Sequence, residues 1–167
     1  HDAALTAILE GKNLNIKRED GNVETAFATA DKVIEKTYHS PFLPHNCMEP
    51  MNFYANVTAE KIHLVGPVQT QEYAALVVAD MLGYDVDKIH LEMTRMGGGF
   101  GRRLYGDFVY EAAEISAAIK KPVKVISTRE DDMTTGIYKP SVKYRIKAAL
   151  KDGKVTGYHL KEAAIGS

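Results

Sequence analysis

The chain has 167 residues, which suits one domain or one domain with a small extension. Its 45% hydrophobic and 26% charged residues match a folded globular chain and exclude a disordered one. A net charge of −1 excludes a global basic field for nucleic acid or an anionic membrane. The single cysteine, Cys47, excludes an internal disulfide and a thiolate-rich metal site.

Residues 1–30 read as a connecting segment, partly helical, and residues 31–167 as one domain. Asp2 to Leu9 has the pattern of a helix ending near Gly11, and Lys17 to Asn22 reads as a loop. Val33 to His39 mixes β-branched and polar residues as a strand does, and Pro41 and Pro44 end it. Met51 to Val57 and Lys61 to Val65 flank a short turn and read as a β-hairpin. Thr70 to Leu82 is helical, with Tyr73, Leu76, Val77 and Met81 at helical spacing and Gly83 as a stop. Lys88 to Thr94 alternates, with Ile89, Leu91 and Met93 facing one way and His90, Glu92 and Thr94 the other.

A second helix is predicted from Asp107 to Ile119, with Phe108, Ala112, Ile115 and Ile119 as its apolar stripe and Pro122 beyond its end. Val123 to Thr128 is strand-like, and Arg129 to Thr135 reads as a turn or one turn of helix. Lys143 to Leu150 and Val155 to Glu162 flank Lys151-Asp152-Gly153-Lys154, a second hairpin. The fold class expected from this order is α+β, a mixed or antiparallel sheet with hairpins and two main helices packed on it. No apolar run reaches the ~18–20 residues of a membrane span. The ends, His1-Asp2-Ala3 without an initiator Met and Ile165-Gly166-Ser167, carry the expectation of a segment from a longer protein.

The run Met96-Gly97-Gly98-Gly99-Phe100-Gly101-Arg102-Arg103 carries the chemistry. Glycines let the backbone approach a ligand closely, Phe100 can cover that ligand, and two arginines offer forked hydrogen bonds to an anion. The bland alternative is a tight turn followed by a solvated basic pair. The free N–H groups of the loop and of the following helix start form an anion cradle, with Asp107 placing a negative charge in the same first turn. The spacing is neither that of a phosphate loop nor that of a dinucleotide-binding strand–helix unit, and no crossover to a second parallel strand with an acidic end is legible. Gln69 and Gln71 open the first helix, where a glutamine can donate to an oxo or carbonyl group or simply be solvated.

His45, Cys47 and Glu49 bring three ligand types together, but Pro50 disfavours a helix at Glu49, so they would not share a helix face. A buried, hydrogen-bonded turn is the reading preferred over a metal centre. His39, His63, His90 and His159 lie in strand-like stretches and are read as structural or surface residues.

His-x-x-x-Glu-Pro, Val-Gln-Thr-Gln, Met-Leu-Gly, Arg-Met-Gly-Gly-Gly-Phe-Gly and Arg-Glu-Asp-Asp-Met follow one another in this order. From about residue 26 to the end, the chain resembles the molybdenum-binding large subunit of the xanthine oxidase and aldehyde oxidase family, the molybdenum hydroxylases. Arg102-Arg103 makes it similar to the isoquinoline 1-oxidoreductase β-subunit branch. The xanthine-oxidising branch usually has Gly-Lys-Glu there, so Leu104 stands where that branch has a substrate-side glutamate.

The resemblance implies that Gly98, Gly99, Phe100 and Gly101 lie against the pterin and that Gln69 hydrogen-bonds an oxygen ligand of the molybdenum. Arg102 and Arg103 would contact pterin phosphate, a nucleotide extension or substrate, and Glu49 would neighbour the active site. The cofactor implied is molybdopterin, or its cytosine dinucleotide form, with molybdenum held by the pterin sulfurs rather than by side chains. The glutamate general base is expected outside this chain, so the chain alone is expected to be inactive.

The implied partners are the rest of the parent subunit, an iron–sulfur small subunit, and an N-heterocycle or aldehyde hydroxylated with water-derived oxygen. Neither nucleic acid nor a membrane span enters this picture. A periplasmic parent is the expectation for compartment, with the cytoplasm as its alternative. The unaided residues leave two further readings open, a non-catalytic scaffold or interaction domain and an unrelated phosphate-binding enzyme using Arg102 and Arg103.

Overall fold

A computed structural model describes residues 1–11 and 15–165 of the chain. Part of the expected connecting segment, residues 12–14, and Gly166 and Ser167 of the expected cut end lie outside the described residues. In chain order the elements are α1 (Asp2–Glu10), α2 (Val23–Ala28), β1 (Lys32–Ser40), β2 (Asn52–Val57), β3 (Ile62–Gly66), α3 (Gln71–Leu82) and β4 (Ile89–Met93). They continue with α4 (Asp107–Ile119), β5 (Val123–Ile126), α5 (Arg129–Thr134), β6 (Val142–Lys151) and β7 (Lys154–Ala164).

The chain divides into two compact units, His1–Leu43 with Lys139–Ser167, and Pro44–Tyr138. The sequence reading drew its boundary near residue 30 instead. The N-terminal helices belong with the sheet of the chain's C-terminal part, because α1 buries Leu5 and Leu9 against Ala163 of β7. Lys143 of β6 also pairs with Asp2 at 2.7 Å.

In this first unit β1, β6 and β7 form an antiparallel sheet in that order. The β6–β7 hairpin turns through Asp152 and Gly153, both with positive φ (51° and 71°). That pair of left-handed residues matches the right-handed twist of the flanking strands.

The second unit holds a four-stranded sheet ordered β4-β3-β2-β5. Strand β2 runs antiparallel to β3 and β5, while β3 and β4 pair in parallel. Strands β3, β4 and β5 therefore share one direction, and α3 and α4 are the crossovers that link them. The sequence reading allowed a mixed sheet but left this parallel pairing unassigned, because the parallel partner of β4 precedes it in the chain and β5 lies at the opposite edge. The expected α+β class, with hairpins and two main helices on the sheet, is what the structure has, its strands shared between two sheets.

Phe53, Ala55, Ile62 and Leu64 form the core face of this sheet, covered by Ala74 and Val78 of α3 and by Phe108, Val109, Ala112 and Ala113 of α4. The helices sit rotated from their predicted stripes. Ile115 and Ile119 of α4 and Tyr73 and Leu76 of α3 are exposed. For α4 the cause is visible at Ser116, which is fully buried. Its Oγ accepts from the Val57 N–H at 2.9 Å and donates to the Lys121 carbonyl at 2.8 Å. Small residues let the helix lie close on β2, and the serine satisfies two backbone groups at its far end.

Helix α5, read from the sequence as a turn or one turn of helix, is fixed by a capping box between Thr128 and Asp131. No helix among the described residues is long and apolar enough to cross a membrane.

Ser116→Ala would leave both the Val57 N–H and the Lys121 carbonyl without that partner. The expected loss is about 1–3 kcal/mol of stability, read as a lower urea midpoint with an unchanged slope.

Candidate functional site

The glycine loop runs from the end of β4 to a single turn of 3-10 helix at Arg102–Leu104, just before α4. Gly98, Phe100 and Gly101 all take positive φ (103°, 50° and 95°), so the loop is left-handed over most of its tip. Two of its glycines lie in close approach to neighbouring segments. A Cβ on Gly97 would sit 2.5 Å from the Glu49 Cβ, and one on Gly99 would sit 2.7 Å from the Gln69 Oε1. The Phe100 ring is 66% exposed.

Arg103 holds the loop from behind. Its side chain is fully buried, and its Nε donates to the Gly98 carbonyl at 2.9 Å. One terminal nitrogen donates to the Glu49 carbonyl at 2.9 Å and to the Glu49 Oε2 at 3.2 Å, and the other reaches the Pro67 carbonyl at 3.4 Å. Arg102 forms a two-pronged pair with Asp107, at 2.6 and 2.7 Å. The Phe108 ring lies 5.8 Å from each guanidinium carbon. The forked hydrogen bonds that the sequence offers to an outside anion therefore go to protein partners. The reason is burial: a guanidinium out of water must be paired and hydrogen-bonded.

Glu49 is the second clamp. Its Oε2 accepts from the Gly97 N–H at 2.7 Å, and its own N–H donates to the Gly97 carbonyl at 3.1 Å. Burial acts to raise the pKa of this carboxyl, but the Gly97 N–H, the Asn52 amide and the Arg103 charge outweigh it. The group titrates below the ordinary glutamate range.

Cys47 lies in the same segment, and its Sγ donates to the Gly99 carbonyl at 3.5 Å. Burial pushes this thiol's pKa up, so it packs as a neutral group. Cys47 and Glu49, weighed in the sequence as metal ligands, are thus engaged in holding the loop.

Gln69 comes to the loop by the start of α3. Its N–H donates to the Arg103 carbonyl at 3.0 Å, and the Thr70 hydroxyl donates to the Leu104 carbonyl at 2.8 Å. The Gln69 Oε1 accepts from the Gly101 N–H at 3.2 Å. With Oε1 so engaged, the amide's NH2 group is the end of the side chain that can still donate. The N–H groups of Gly98 and Gly99 have no hydrogen-bond acceptor among the described residues. The loop thus keeps its carbonyls satisfied from behind and retains backbone donors that the protein itself does not use.

Sequence reasoning passed over Arg129 and Asp132. Arg129 donates to the Met48 carbonyl at 2.8 Å and pairs with Asp132 at 3.0 Å. Asp132 is buried and accepts from the Met51 N–H at 3.3 Å. Together they hold the 45–51 segment from α5. The only sequence signal was the acidic run after Arg129, which reads equally well as a helix start.

Removing the Arg103 side chain takes the donor from the Gly98, Pro67 and Glu49 carbonyls and leaves the Glu49 carboxylate with the Gly97 N–H and the Asn52 amide but no charged partner. Arg103→Ala is expected to cost about 3–5 kcal/mol, with Arg103→Lys recovering part of it, as measured by denaturant unfolding. The contribution of Glu49 has a definite pH sign. Because its folded pKa is depressed, its stabilisation is complete above the ordinary glutamate value of 4.5 and is lost as pH falls through the lower folded value. Glu49→Gln should remove this component, flattening the acid limb of stability against pH in unfolding experiments at stepped pH.

The Molybdopterin cofactor-binding domain family matches residues 7–164. The chain is 32% identical over 147 residues to the membrane-bound aldehyde dehydrogenase [pyrroloquinoline-quinone] of Gluconacetobacter polyoxogenes, covering 87% of this chain and 19% of that protein. It is also 32% identical over 147 residues to the isoquinoline 1-oxidoreductase subunit beta of Brevundimonas diminuta, covering 82% of this chain and 18% of that protein. Among solved structures, quinoline 2-oxidoreductase from Pseudomonas putida 86 has the same fold, with a TM-score of 0.69 at 18% identity over 84% of this chain and 18% of that one. The chain spans about a fifth of the length of these relatives. Matched over nearly its whole length, the chain belongs to the molybdopterin cofactor-binding domain family, within the xanthine oxidase and aldehyde oxidase class of molybdenum oxidoreductases.

Proposed function

We propose that the glycine loop and Gln69 form one wall of the molybdopterin site in an oxidoreductase that hydroxylates an electron-poor carbon of an N-heterocycle or an aldehyde. The observation that carries this reading is the pair of backbone donors at Gly98 and Gly99, which have no acceptor among the described residues, beside the Gln69 side chain. A planar, oxygen-rich group fits a flat backbone wall of this kind, and the close approach of Gly99 to Gln69 leaves that wall without a Cβ.

Gln69 and Gly98 to Gly101 would touch the cofactor, with the exposed Phe100 ring as a cover. When bound, the cofactor supplies a molybdenum centre that delivers water-derived oxygen and accepts two electrons. Arg102 and Arg103 act as positioning residues, because their hydrogen bonds fix the loop from the protein side. Glu49 neighbours the site and sets the path of Gly97. The general base lies outside this chain, iron–sulfur clusters on a partner subunit or domain carry the electrons away, and the pterin is molybdopterin or its cytosine dinucleotide form.

The test is the molybdenum and pterin content of the full-length parent, co-expressed with its iron–sulfur partner, beside Gly99→Val and Gln69→Ala. Near-stoichiometric metal and pterin are expected in the wild type, with a loss in Gly99→Val. Turnover of N-heterocycles or aldehydes with an added electron acceptor should follow the metal content. Absence of molybdenum from the wild type, in a host that loads a control enzyme, would overturn the reading in favour of a scaffold.

A further inference from the structure

The second unit carries a cluster that the glycine loop does not use. His63 of β3 and His90 of β4 are direct partners in the parallel register, and Glu92 lies two residues further along β4. All three project from the face of the sheet opposite the core, since Ile62 and Leu64 on either side of His63 are fully buried. The Glu92 Oε1 lies 2.7 Å from the His63 Nε2 and 3.1 Å from the His90 Nε2. The three ligand atoms all lie within 4.8 Å of one another. The imidazole rings stand 5.3 Å apart, and the Tyr54 ring packs against His63 at 5.9 Å.

We propose that His63, His90 and Glu92 form a binding site for a late first-row divalent cation of the Zn2+ class. The donor set is two imidazole nitrogens and one carboxylate oxygen, the combination that selects such ions over Mg2+ and Ca2+, which take oxygen ligands. A tetrahedral ion with bonds of ~2.0–2.1 Å sets its ligand atoms about 3.3 Å apart. The two carboxylate–imidazole separations, 2.7 and 3.1 Å, are close to that value, and the third separation lies within 4.8 Å.

Two adjacent, hydrogen-bonded strands supply the ligands, which holds the spacing of the two histidines without a flexible loop. Three protein ligands leave a coordination position for water, and the site is open to solvent, with His90 69% and Glu92 53% exposed. The inference does not depend on the molybdopterin reading.

The test is equilibrium dialysis of the intact subunit against Zn2+, with zinc and molybdenum measured separately in wild type and in a His63→Ala/His90→Ala double variant. Wild type should retain one zinc equivalent more than the double variant, at unchanged molybdenum content. Zn2+ should also raise the unfolding midpoint of the wild type alone. Equal zinc retention in the two proteins would overturn the proposal and leave the triad as a hydrogen-bonded cluster only. Should the double variant not fold, Glu92→Gln decides, because it keeps the shape and both imidazoles. Weakened zinc binding supports the site, and unchanged affinity and stoichiometry overturn it.

Discussion

A single buried guanidinium holds the site segments of the Pro44–Tyr138 unit together. Arg103 ties the Gly98 carbonyl of the loop, the Pro67 carbonyl at the end of β3 and both the carbonyl and carboxylate of Glu49. These segments are far apart in sequence, and each would otherwise carry buried polar groups without partners. Desolvating a charged guanidinium is costly, and its cost is offset only when the surrounding acceptors sit in good geometry. The same requirement therefore fixes the relative position of the three segments. A hydrophobic side chain could fill the volume, but it could not specify where the carbonyls lie.

The loop has two sides with different chemistry. On the protein side its carbonyls and its first N–H are bound by Arg103, Cys47, Glu49 and the N–H of Arg102. On the other side the Gly98 and Gly99 N–H groups have no acceptor among the described residues, and the Phe100 side chain is largely exposed. Rigidity on one side and unused donors on the other is what a preorganised wall requires, because little ordering is left to occur on binding. Phe108, within 5.8 Å of both guanidinium carbons and packed edge-to-face on Phe53, links the loop to the core.

Helix α4 shows how local pattern yields to packing. Its predicted stripe placed Ile115 and Ile119 inward, where the largest gain from burial would lie. The structure keeps Phe108 and Ala112 of that stripe buried but completes the buried face with Val109, Ala113 and Ser116, leaving Ile115 and Ile119 exposed. Close helix–sheet approach and two satisfied backbone groups outweigh the burial of two isoleucines. A hydrophobic count along the helix does not register that balance.

The sequence by itself determined the identity of most elements, the α+β class, the two hairpins and the glycine loop with Gln69, because each is written in local period, turn chemistry or a contiguous motif. The resemblance to molybdenum hydroxylases was legible for the same reason, as ordered motifs along one chain. Only the tertiary structure decided the parallel pairing of β3 with β4, the inward turn of Arg102 and Arg103, the clamp at Glu49 and the meeting of His63 with His90 and Glu92. In each of these the partners come from separate elements or depend on burial. Linear spacing carries neither the register of two strands nor the loss of water that obliges a charged side chain to find its acceptors.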